Sequence, residues 1–132
     1  MGQKPRKSVC VGKYQMGGEY VRIFLEPGAD GTWLPHGTED HDEPCLLIGA
    51  DTDEWREVFA TFVHEAFEGS IVRAGGHYPH PTAATCNDTS MCLMVMDHAK
   101  FSQASSTAAC VIRLASTDIY KAWKKWRADG KR

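Results

Sequence analysis

The chain has 132 residues, enough for one domain with a sizeable core and too few for two. Apolar residues make up 42% and charged residues 24%, a balance that excludes disordered and collagen-like classes. The formal charge of −2 conceals a split. Residues 1–13 carry four bases and no acid, residues 121–132 carry six bases against Asp129, and the stretch between holds 16 acids and 5 bases.

No apolar run approaches the ~20 residues a membrane-spanning helix needs. The basic start is not followed by an apolar stretch, so no secretory leader is read there. Arg6 stands where a myristoylation signal wants Ser or Thr. Five cysteines (10, 45, 86, 92, 110) form an odd set without C-x-x-C spacing, and free thiols in a cytoplasmic protein are expected, with Cys10, Cys45 and Cys92 as small hydrophobes in strands.

In chain order, Ser8–Tyr14 alternates weakly and Tyr20–Glu26 reads as a strand. Met16-Gly17-Gly18 between them supplies turn glycines, which predicts a hairpin. Residues 27–44 read as a loop rich in Pro, Gly and acid, and Cys45–Gly49 as a short apolar strand. Asp51 with Glu54 three residues on resembles a capping box. Trp55, Val58, Phe59, Phe62, Val63, Ala66 and Phe67 then recur at helical spacing, to an end at Ala74 before Gly75-Gly76. Residues 75–90 read as a loop and Met91–Met96 as a central strand. From about Ser102 a second helix carries Ala104, Ala108, Ile112, Ala115, Ile119, Ala122, Trp123 and Trp126 on one stripe. The expected fold is a single α+β domain over 1–132 with the order β-β-β-α-β-α. A small sheet of about four strands is covered by two long helices, with basic ends at 1–7 and 127–132. The first helix is expected as a crossover between strands 45–49 and 91–96.

The chemistry candidate is His64-Glu65-Ala66-Phe67-Glu68. A His and a carboxylate four residues apart lie on one side of a helix and can reach one metal ion. With Trp55 at zero and 100° per residue, the apolar arc centres near 20°. His64 falls at about 180°, Glu68 at about 220° and Glu65 off to the side at about 280°. The pair therefore points away from the core stripe, toward solvent or a cleft.

Here Glu54–Glu68, EWREVFATFVHEAFE, preceded by the strand from residue 45, resembles the zincin-like metallopeptidases, including small forms encoded by bacteriophages and mobile elements. The resemblance covers about residues 45–68 and departs from the family where Glu68 replaces the second zinc histidine. It implies zinc bound by His64 and Glu68, with Glu65 as general base on metal-bound water. A third ligand is sought among His98, His77 and His80, with Asp97 beside His98 as a ligand or an orienting partner. Metal binding survives the Glu68 departure better than peptidase activity does, so a degenerate or atypical metallohydrolase is expected. A histidine on a solvated helix face in an i,i+4 pair is the plain structural alternative.

Other features weigh less. The loop His36–Glu43, with two histidines and four carboxylates, can hold a cation but lacks EF-hand order, so a solvated acidic loop is favoured. Met91, Met94 and Met96 with Cys92 read as core. Lys121–Arg127 interleaves aromatics and bases as nucleic-acid surfaces do. Both tryptophans fall on the apolar stripe, however, and an acidic body repels phosphate, so nucleic acid is not the expected partner. A second functional class stays open: a non-enzymatic, phage-type inhibitor whose acidic surface binds a basic site on a host nucleic-acid enzyme. A homodimer through Trp123 and Trp126 is a third.

Overall fold

The computed structural model describes residues 7–28, 30–37, 42–75, 77–79, 92–94 and 96–130. Four strands come first: β1 (Val9–Met16), β2 (Glu19–Glu26), β3 (Gly31–Leu34) and β4 (Cys45–Gly49). Helix α1 (Trp55–Arg73), the short strands β5 (His77–Pro79) and β6 (Cys92–Met94), and helix α2 (His98–Asp129) follow. The four-stranded sheet has the order β1-β2-β4-β3, and β5 pairs with β6 in a separate ladder. The class is α+β, as the sequence implied.

β1 and β2 form the expected antiparallel hairpin, turned at Gly17 with φ 67°. Alternation decides how β2 lies: Val21, Ile23 and Leu25 are fully buried, while the residues between them face the other side. β4 is an inner strand, parallel to β2 and antiparallel to β3, and all its residues but Leu47 are buried.

Two expectations are corrected here. The fourth strand of the sheet is β3, inside the stretch read as loop, and not residues 91–96. Gly31-Thr-Trp-Leu34 is too short to announce itself beside glycine and proline. Its strand character comes from pairing Trp33 with Leu46 and Leu34 with Cys45. The residues of β6 pair antiparallel with β5, so α1 is not a crossover into the sheet; the parallel pair is β2 with β4.

Both helices cover one sheet face, α2 over β1 and β2, α1 over β3 and β4. Their shared core includes Ile23, Leu46, Ile48, Phe62, Val111 and Ile119. α2 begins four residues before Ser102, where the Asp97 carboxylate accepts the Lys100 N–H at 2.8 Å. At the start of α1 the capping box gives way to another device. The Thr52 hydroxyl accepts the Glu54 N–H at 3.1 Å and donates to Glu57 at 2.6 Å. The helix ends at Arg73 with Gly75 at φ 79°, as its glycine signal predicted.

Trp123 and Trp126 are 8% and 5% exposed, and their indole N–H groups donate to the carbonyls of Thr52 (3.3 Å) and Lys7 (3.1 Å). The dimer expectation therefore lacks the surface it named, because both rings are spent inside the chain. Cys10, Cys45 and Cys110 are free thiols, and burial pushes the Cys45 thiol up. Cys86 lies outside the described residues. Among those residues no helix is long and apolar enough to cross a membrane.

Candidate metal centre

α1 is buried on a different side from the one its apolar residues mark. The buried residues are Val58, Phe62, Glu65, Ala66, Glu68, Gly69 and Ser70, while Phe67 is 36% exposed. On the helical wheel the buried arc centres roughly 60° away from the apolar arc, on the side of the glutamates. The cause is β3. A Cβ on Gly31 would stand 2.7 Å from Thr61 Cγ2 and 2.8 Å from Glu65 Cγ. One on Gly69 would stand 3.1 Å from the Trp33 ring. Two glycines without side chains let strand and helix close on each other, and Thr61, Glu65, Gly69 and Arg73 become the helix side of that seam.

His64, Glu65 and Glu68 are thereby brought together, with one ligand atom from each lying within 4.8 Å of the others. His64 Nε2 is 3.5 Å from Glu68 Oε2 and 3.8 Å from Glu65 Oε1. Zinc bonds of 2.0–2.2 Å in a tetrahedron place ligand atoms about 3.4 Å apart, so small side-chain rotations suffice for three of four positions. The His64 side chain is 71% exposed, whereas Glu65 and Glu68 are 4% and 8% exposed as residues. The group is open to water at the histidine and closed at the carboxylates, and it could hold a metal ion.

The electrostatics follow from that burial. Desolvation first, and then the Glu68 charge beside it, push the Glu65 carboxyl up to about 7. Its Oε2 is buried with no hydrogen-bond partner. Among the described residues the other such side-chain atoms are Trp33 Nε1 and Arg73 Nε, so all three belong to β3 or α1. Arg73 lies over the Trp33 ring at 5.8 Å and pairs with Glu19 at 2.6 Å. An orphaned carboxylate oxygen accepts either a proton or a cation, which is the donor chemistry a metal ion requires.

The residues singled out from sequence fare differently. His64 and Glu68 come together as expected. Glu65, read as a base standing to one side, is a member of the same group. His98 is exposed at the first turn of α2 and is no member of it. The backbone of His77 opens β5, but its side chain, like His80, lies outside what is described. Asp97 is occupied in capping α2. In the acidic loop, Glu39, Asp40 and His41 lie outside the described residues. Glu43 is bound by Lys13 at 2.8 Å and Arg22 at 2.6 Å, which lower its carboxyl and spend its charge internally.

Glu65 as a member of the group was missed because the wheel treats the polar face as open; the i,i+3 pair Glu65 and Glu68 was the available signal. Compared with protein-family models, curated proteins and solved structures, the chain matches none.

Proposed function

We propose that this chain binds a divalent cation of the zinc type through His64, Glu65 and Glu68. The observation that carries the reading is the convergence of three donor atoms within 4.8 Å, one of them on a buried carboxyl group with an unpartnered oxygen. An unpaired buried acceptor costs about 1–3 kcal/mol, and ionising Glu65 in a buried place beside Glu68 costs more, which is why its carboxyl is pushed up; a divalent cation offsets both. When bound, such an ion supplies Lewis acidity toward a water or a carbonyl oxygen. The chain's own part is to present His64 at the open side, to keep water from the two carboxylates, and to release the Glu65 proton on binding. With Glu65 serving as third ligand it is not free to act as general base. Binding, rather than peptide hydrolysis, is therefore the activity assigned, in keeping with a degenerate form of the zincin-like helix.

Calorimetric titration of metal-stripped protein with zinc tests this reading. One site per chain is expected, with proton release at pH 6 and affinity reduced at least tenfold in His64→Ala and in Glu68→Gln. No saturable binding, or full affinity in both variants, overturns it.

A further inference from the structure

The flank of α1 turned toward α2 carries a second surface, independent of the metal reading. Trp55 and Phe59 line a shallow groove of about 280 Å³ with Ser116, Thr117 and Tyr120. Trp55 and Tyr120 meet edge to face, their centroids 5.0 Å apart at 76°, and Phe59 tilts against Trp55 at 5.8 Å. The rings make an L-shaped notch rather than a closed stack. Tyr120 is 38% exposed.

The rim of the notch is cationic. Arg113, Thr117, Tyr120 and Lys124 lie within about 60° of arc on α2. Lys124 Nζ is 5.6 Å from the Tyr120 centroid. Arg56, Arg113 and Lys121 are exposed and, like Lys124, make no ion pair among the described residues. Among the neighbouring acids, Asp51 and Asp53 hold Arg127, Asp118 accepts the Tyr14 hydroxyl at 2.8 Å, and Glu54 makes no ion pair among the described residues. The four exposed bases Arg56, Arg113, Lys121 and Lys124 therefore outnumber the two carboxylates nearby, Glu54 and Asp118, that no cation pairs among the described residues.

The geometry points to a single-stranded nucleic acid as the occupant, one base stacked in the Trp55–Tyr120 notch and phosphates roughly two to three nucleotides to either side on Arg113 and Lys124. The groove lies between two helices whose main-chain groups are satisfied within them. A peptide would find no backbone partners there, whereas a base needs only its π-face. Arg113 and Lys124 are separated by about 16 Å of helix. A stacked strand rising about 3.4 Å per nucleotide fits roughly five nucleotides into that length, within the usual range for such sites. The sequence argument against nucleic acid rested on the packing of Trp123 and Trp126, which are indeed buried, and on the acidic body; at this notch the aromatic surface comes instead from Tyr120, Trp55 and Phe59, and the exposed charge beside it is mostly basic.

The test is titration of the whole chain with fluorescein-labelled oligo(dT) of twelve nucleotides. An abasic strand of the same length and poly-L-glutamate of matched charge serve as competitors, and tryptophan quenching is read alongside anisotropy. Expected are quenching on binding and a log–log salt slope of about −2, for roughly three phosphates neutralised. Tyr120→Ala and Arg113→Ala should each lose about five- to tenfold in affinity, with Tyr120→Phe and Lys100→Ala near wild type. Competition by the abasic strand or by poly-L-glutamate as strong as by unlabelled oligo(dT) overturns the proposal, the latter in favour of an acidic polypeptide. So does the absence of binding, or unchanged affinity in a Tyr120→Ala protein whose circular dichroism matches wild type.

Discussion

Gly31 of β3 lies against Glu65 of α1 so closely that a Cβ on the glycine would stand 2.8 Å from the glutamate's Cγ. This contact, between an inconspicuous residue in a short strand and an acidic residue on a helix, closes β3 over the Glu65 carboxyl group of the candidate metal centre. It follows that the site depends on a glycine 33 to 37 positions away from its three members.

Replacing that glycine is the sharpest structural test. Gly31→Ala puts a methyl group into Thr61 and Glu65, and neither contact is with the free end of a long side chain. Overpacking of this kind costs about 1–3 kcal/mol. Denaturant unfolding should show that loss, and zinc titration should show weakened affinity although no ligand is changed.

Metal-free protein should lose stability as pH rises through the Glu65 range. The folded carboxyl titrates at about 7 against an ordinary 4.5, so the folded state holds the proton more tightly than the unfolded one. The contribution is complete below pH 4.5 and declines between 4.5 and 7. The difference is about 3 kcal/mol at 1.36 kcal/mol per pKa unit. Denaturation of stripped protein across pH 5–8 reads it directly. Glu65→Gln should flatten the profile and raise stability at pH 8.

Zinc should oppose that decline. At 100 times the dissociation constant, one bound ion stabilises the native state by about 2.7 kcal/mol. A thermal shift of wild-type protein with zinc, absent in His64→Ala, is the expected result. An equal shift in both proteins would assign the metal to other residues.

Thr52→Ala removes the hydroxyl that accepts the Glu54 N–H and donates to Glu57. A lost helix cap of this type costs about 1 kcal/mol. The Trp123 bond goes to the Thr52 carbonyl, which alanine retains, so the effect should stay confined to the start of α1. Urea unfolding should show the loss with an unchanged m-value.

Local chemistry made much of the chain legible. The β1–β2 hairpin follows from alternation and a glycine turn, and both helices follow from periodicity. The meeting of His64 with Glu68 follows from one helical turn. These depend on residues close in sequence, so the sequence by itself determined them, together with the α+β class. β3 was not legible, because four residues beside glycine and proline become a strand only through pairing with β4. Nor was the burial of Glu65, since polarity marks that side of α1 as exposed until a strand lacking a side chain at Gly31 closes on it. The tertiary structure therefore decided that the His64 pair has a third member. It did so because steric room, unlike periodicity, is set by residues from distant parts of the chain.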